Sequence, residues 1–116
     1  MNATISLKTV LSASGETLAQ RLALFTLLNL GMIESLANGL ISVTDAVQVF
    51  YNAENCLFVR RQLREKTADE IMSRGIQLPD LFAALPTEEA HREFQRELAK
   101  MRSLCLKLIE SQRLVA

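Results

Sequence analysis

The chain has 116 residues, 49% of them hydrophobic, and its thirteen lysines and arginines equal its thirteen aspartates and glutamates in number. This length suits one ordinary domain with a core of its own, and the hydrophobic content excludes a chain that is disordered throughout. The net charge of zero excludes a general attraction to nucleic acid or to anionic lipid.

Neither a membrane span nor a secretion signal is predicted. The most apolar stretch is residues 22–33, whereas a transmembrane helix needs about twenty apolar residues. Cys56 and Cys105 both lie in apolar, helix-like stretches, which favours buried reduced thiols over a disulfide framework. We therefore predict a cytoplasmic protein without a membrane partner.

The first thirteen residues show no helical pattern, because Ile5, Leu7 and Val10 do not form one stripe. We interpret residues 1–13 as a flexible or extended arm, with a short strand as the alternative. Residues 14–116 are then predicted to form a single helical domain.

The first strong helix is predicted to begin at Ser14, as its N-cap, and to end near Asn38, before Gly39. Its apolar residues cover almost the whole circumference: Leu18, Leu22, Leu24, Phe25, Leu27, Leu28, Leu30, Met32, Ile33 and Leu36. Such a helix must be buried on most sides. It is therefore expected to be the central helix and also part of an interface in a homodimer.

A second helical region is predicted from Ser42 or Thr44 to about Glu65. Asn52 leaves two interpretations open, since it could be exposed within one long helix or end one helix and cap the next. Tyr51 and Asn52 open a polar stretch, YNAEN, whose side chains could also hydrogen-bond a partner protein.

The next helix is predicted to start at Thr67, in the capping box Thr67-Ala-Asp-Glu70, and to stop at Gly75. Alternatively, this segment continues the preceding helix. Pro79 suits the start of a short helical turn, with Leu81, Phe82 and Leu85 covering the core.

The last helix is predicted over Thr87–Gln112, with Thr87 as its cap and two acids in the first turn. Spacings of four and three residues give it a buried seam: Phe94, Leu98, Met101, Cys105 and Leu108. Surface pairs are expected at Glu88–Arg92, Glu93–Arg96 and Glu97–Lys100. Together these elements predict an all-α fold, a compact bundle of four or five helices around the long apolar helix.

No catalytic, cofactor or metal site is predicted. Glu88 and His91 have the Glu-x-x-His spacing of di-iron bundle proteins, but that site needs a second such pair and two more carboxylates. His91 and Cys105 are fourteen residues apart on one predicted helix, about 21 Å along its axis, and cannot meet within one subunit.

One basic cluster stands out, formed by Arg60, Arg61, Arg64 and Lys66. On a helix, Arg64 would share a face with Arg60 and with Arg61. Without a catalytic constellation, the leading hypothesis is a non-enzymatic protein–protein interaction module, such as an adaptor, immunity-type or regulatory protein. One alternative is a nucleic-acid-binding regulator that uses the basic cluster, and another is a small enzyme or ligand carrier with a pocket beside His91 or Cys56.

Overall fold

The computed structural model of the protein describes residues 4–13 and 17–112. Within these ranges the chain forms helices without strands, which confirms the predicted all-α bundle. The α-helices are α1 (Leu7–Ala13), α2 (Leu18–Ala37), α3 (Val43–Val49), α4 (Ala53–Phe58), α5 (Lys66–Ile76), α6 (Leu78–Ala84) and α7 (Thr87–Gln112), and a π-helical turn, Val59–Leu63, extends α4. The helices outnumber the predicted four or five because several are only six or seven residues long.

The two long helices, α2 and α7, pack along each other as predicted. The seam of α7 is buried along its length, from Phe94 to Leu108. Helix α2 ends at Ala37, and Gly39 follows with the positive φ of 70° that glycine adopts without strain. The N-cap of α2 is Thr17, which forms a capping box with Gln20, so the predicted cap Ser14 was wrong; Ser14 itself lies outside the described residues.

Helix α2 is not covered on all sides. Phe25 and Ile33 are fully buried, but Leu18 and Leu27 each remain 50% exposed. Within the described chain, α1, α3, α7 and the π-helical turn pack against α2, and these neighbours leave part of its apolar circumference in contact with solvent.

The second helical region is divided at Asn52, as one of the two interpretations proposed. Helix α3 ends at Val49, and the side chain of Asn52 then accepts a hydrogen bond from the backbone N–H of Asn55 as the N-cap of α4. The π-helical turn ends at Leu63, and Arg64 follows it with a left-handed φ of 51°. This residue separates the π-helical turn from α5.

The predicted start of α5 is wrong. Glu65, not Thr67, caps the helix, because its carboxylate accepts the backbone N–H of Ala68 at 3.0 Å. Gly75 was predicted to stop this helix, but it lies inside α5 and is buried. A Cβ atom at Gly75 would overlap the ring of Tyr51, so glycine is needed there for close packing rather than for termination.

Residues 7–13 are helical and not part of the predicted extended arm, whereas residues 4–6 have no regular structure and residues 1–3 lie outside the described ranges. Leu7 and Leu11 of α1 are both completely buried, and α1 packs against α2 and α4. The side chain of Asn55 in α4 holds this segment through hydrogen bonds with the backbone of Leu7 and Ile5. The sequence alone did not indicate this helix, because the helix is held in place by Asn55, which lies almost fifty positions further along the chain.

Helix α6 begins with Leu78 and Pro79, as the predicted short turn required. Leu78 is the buried residue of this helix, whereas Phe82 is partly exposed and meets the rings of His91 and Phe94 edge-on. Leu81 packs against the core as expected.

The surface of α7 follows only part of the predicted pairing. Glu93 and Arg96 form the expected ion pair at 2.7 Å. Glu97 instead binds Arg74 of α5 at 2.7 Å, and Arg74 also binds Glu70 at 2.9 Å. Arg74 therefore links α5 to α7.

Candidate partner-binding groove

The structure divides the predicted basic cluster. Arg60 lies 3.5 Å from the carboxylate of Asp69 in α5. Arg61, the next residue, lines a groove between α1, α2 and α4. Since the two neighbouring side chains serve different surfaces, the four cations do not act as one unit.

The predicted helical pairing of Arg64 with Arg60 and Arg61 is also absent. The π-helical turn ends at Leu63, and the left-handed conformation of Arg64 takes this residue out of the helix. Lys66 then opens α5 and is exposed. A phosphate-binding face that requires these residues on one helix is therefore not formed.

Tyr51 cannot contact a partner, because its side chain is completely buried between core residues. Its ring packs edge-on against Phe50 and closely against Gly75. Burial raises the pKa of the Tyr51 hydroxyl, and the nearby Cys105 adds to the rise. Asn52 is occupied as the cap of α4. The polar stretch thus supports the fold rather than a contact surface.

The candidate catalytic side chains are not brought together as a site. Burial raises the pKa of the Cys105 thiol to about 12, and burial together with Asp69 raises the pKa of Cys56, against a smaller opposing effect of Arg60. A raised thiol pKa lowers the fraction of reactive thiolate. His91 is exposed beside Phe82, and residues 4–13 and 17–112 hold no cluster of potential metal ligands.

The groove that contains Arg61 combines positive charge with apolar walls, and we call it the cationic groove. It has a volume of about 420 Å³ and is open to solvent; six of its lining residues are Lys8, Arg21, Glu54, Leu57, Phe58 and Arg61. Three cations from α1, α2 and the π-helical turn thus face a single carboxylate. Electrostatically, the groove suits an anionic ligand.

The three cations of the cationic groove have no ion-pair partners within the described ranges. Elsewhere, Arg60, Arg74, Arg96 and Arg102 each lie within ion-pair distance of a carboxylate. The Nε atom of Arg21 is buried and has no hydrogen-bond acceptor in the described part of the chain. The positive field of the cationic groove is therefore available to a ligand.

Sequence reasoning missed Lys8 and Arg21 as candidate site residues. One signal was present, since they are the only cations among the first 58 residues. The sequence could not show that Lys8, Arg21 and Arg61 line one groove, because α1 was predicted to be an arm. The position of α1 on α2 and α4 brings them together.

A second groove lies between α5, α6 and α7, with a volume of about 630 Å³. Its apolar wall includes Leu78, Leu81 and Leu85, and Arg74 crosses it to reach Glu70 and Glu97. Arg74 is the cation of this lining and is already paired, while Glu70, Asp80 and Glu97 supply three carboxylates, so this groove does not suit an anionic ligand.

No helix in the described part of the chain is long and apolar enough to cross a bilayer.

Comparison with known proteins supplies a family but no function. No curated protein and no solved structure matches the chain. A family model described as "Protein of unknown function (DUF3969)" matches residues 16–115, which include Arg21 and Arg61 but not Lys8. The chain belongs to this family, DUF3969.

Proposed function

We propose that the protein is a non-enzymatic protein–protein interaction module that binds an acidic region of its partner in the cationic groove. One observation carries this proposal: Lys8, Arg21 and Arg61 come from three separate elements and line one groove with apolar residues between them. Charged residues that serve only to keep a surface solvated do not need to come together in one groove. Apolar contact area supplies binding energy, while the charges supply orientation and a faster association.

A protein ligand is favoured over nucleic acid by the composition of the cationic groove. Leu57 and Phe58 offer apolar surface to side chains, which a sugar–phosphate backbone does not use. Arg60, which the nucleic-acid alternative also requires, lies beside Asp69.

Site-specific photo-cross-linking in the native host tests the proposal. Gln62 lines the cationic groove, so a photoreactive amino acid there should form an adduct with a protein, and the cross-linked peptide should be rich in aspartate or glutamate. Arg61→Ala should weaken this adduct. The same photoreactive group at Arg92, which lies on the surface of α7 away from the groove lining, is the control.

The outcomes of the cross-linking experiment separate the candidate functions. An adduct with nucleic acid at position 62 would favour the regulator hypothesis instead. The absence of any protein adduct at this position, with normal levels of the protein, would contradict the interaction module.

An enzyme or ligand carrier is supported less well, because the raised pKa values of Cys56 and Cys105 oppose thiolate chemistry.

We also propose that the protein is a homodimer in the cytoplasm. Leu27 is half exposed on α2, and Gly31, one helical turn later, is exposed on the same face. Both cysteines are free thiols, which suits a reducing compartment. Light scattering coupled to gel filtration should give twice the 13.0 kDa chain mass, whereas the mass of one chain at micromolar concentration would contradict the dimer.

A further inference from the structure

We infer that Arg21 determines the specificity of the cationic groove by binding an aspartate or glutamate side chain of the partner through two parallel hydrogen bonds from one edge of its guanidinium group. This inference rests on the proposed function, in which the groove binds an acidic protein segment. It adds that one cation recognises the shape of a carboxylate, whereas the others contribute charge.

The position of Arg21 in α2 is unfavourable for helix stability. It is the fourth residue of the helix, close to the end where the helix dipole is positive and where a cation is repelled. No acidic residue lies in this first turn to compensate. The arginine therefore gains nothing from its own helix, and the dipole adds to the positive field of the cationic groove.

The hydrogen bonding of Arg21 is incomplete in the described residues. Its Nε atom is buried without an acceptor, and a buried donor without a partner costs stability. The Nε–H and one terminal N–H of a guanidinium group form two parallel hydrogen bonds to a carboxylate. Because this Nε atom is closed to solvent, the Arg21 side chain must turn toward the cationic groove, where a carboxylate of the partner supplies the acceptor that the fold does not.

The remaining lining residues define what accompanies the carboxylate. Lys8 and Arg61 are exposed, and exposed cations attract an anion over a distance without fixing its geometry. Leu57 is 42% exposed and lies with Phe58 in the same groove. The ligand class is therefore a peptide segment that places an acidic residue next to a large apolar residue.

Peptide binding to Arg21 variants tests the inference. The probe is a short fluorescent peptide, blocked at both ends, in which Glu-Leu and Asp-Phe pairs are separated by serines; its control replaces Glu and Asp by Gln and Asn. Arg21→Lys keeps the charge but loses the paired hydrogen bonds, and should weaken binding of the acidic peptide about tenfold. Arg61→Lys should weaken it less than about threefold, and Arg92→Lys not at all.

A second variant separates binding from folding. Arg21→Met removes the cation from the positive end of α2, so its melting temperature should equal or exceed that of the natural protein while binding of the acidic peptide is lost. Loss of binding together with a lower melting temperature would mean that Arg21 acts structurally, and would overturn the inference.

Three further results would also overturn the inference. They are equal losses with Arg21→Lys and Arg61→Lys, equal affinity for the acidic and amide peptides, and tighter binding of a single-stranded oligonucleotide than of the acidic peptide. If a protein adduct forms at position 62 in the host but the Arg21 variants bind as the natural protein does, the interaction module stands and only the role of Arg21 is wrong.

Discussion

The side-chain oxygen of Asn55 accepts a hydrogen bond from the backbone N–H of Leu7 at 3.0 Å, across 48 positions of the chain. The amide nitrogen of the same side chain donates to the backbone oxygens of Ile5 and Phe50 at 2.7 and 2.8 Å. Asn55 is itself 2% exposed. One buried side chain thus satisfies three backbone groups and fixes the N-terminal segment on the core.

Replacing Asn55 with alanine should therefore destabilise the protein strongly. It removes a hydrogen-bond partner from two fully buried backbone groups, the N–H of Leu7 and the oxygen of Phe50. At about 1–3 kcal/mol for each, we expect a total loss of about 2–6 kcal/mol. Urea denaturation measures this change. Asn52→Ala is the matched control, and it should cost only about 1 kcal/mol because it removes a helix cap; equal losses would contradict the special role of Asn55.

Two glycines should respond to alanine in opposite directions. Gly75→Ala places a methyl group against the ring of Tyr51, and overpacking of this kind costs about 1–3 kcal/mol. Gly31 is exposed in α2, and nothing lies near the position of its absent Cβ. Gly31→Ala should therefore raise stability by about 0.5–1 kcal/mol.

Thermal and urea denaturation of both glycine variants measure the difference. A neutral Gly75→Ala variant would show that the ring of Tyr51 moves aside easily, and would contradict the close packing described here.

Stability should fall as the pH rises above about 9. The Cys105 pKa is raised from 9.0 to about 12 in the folded state, so the unfolded chain loses this proton first and becomes favoured between these two pH values. Each proton of difference contributes about 1.4 kcal/mol per pH unit. Tyr51, whose pKa is also raised from 10.0, steepens the fall above pH 10.

Denaturation curves at a series of alkaline pH values measure this dependence, and Cys105→Ala should reduce its slope. The chain has one tyrosine, so absorbance near 295 nm reports its ionisation alone. We expect this signal to rise only as the protein unfolds. Ionisation of Tyr51 in a chain that keeps its helical circular dichroism would contradict its burial.

Arg74 and Arg96 provide a test of two ion pairs with different exposure. Arg74 is 32% exposed and binds both Glu70 and Glu97, whereas Arg96 is 70% exposed and binds Glu93 alone. Arg74→Ala should cost about 1–2 kcal/mol because it breaks a charge-assisted link between two helices. Arg96→Ala should cost less than about 0.5 kcal/mol, and equal costs would show that α5 and α7 are held by their apolar contacts alone.

The parts of the fold that sequence could predict are those determined by local patterns. The seam of α7 repeats over many residues, and the C-terminal end of α2 carries the glycine signal at Gly39. The predictions of the seam and of this helix end were therefore correct. Helix α1 was missed because it has only seven residues, too few to show a periodic stripe. Its stability comes from Asn55 and from burial of Leu7 and Leu11.

The candidate site was predicted only in part, for a related reason. Arg61 was among the expected contact residues, and it does line the cationic groove. Tyr51 was misinterpreted because its polar neighbours suggested exposure, whereas a packing partner, Gly75, lies distant in sequence. No local pattern links Lys8, Arg21 and Arg61, since their proximity results from the way three helices pack.

The boundary of the family match has a practical consequence for anyone preparing this protein. The match begins at residue 16, and a shortened chain cut there would lose α1, and with it Lys8 and Ser12 from one wall of the cationic groove. It would also remove the two N-terminal backbone groups that the amide of Asn55 binds. Failure of such a fragment to bind a ligand would reflect its missing wall, and would say nothing about the intact protein.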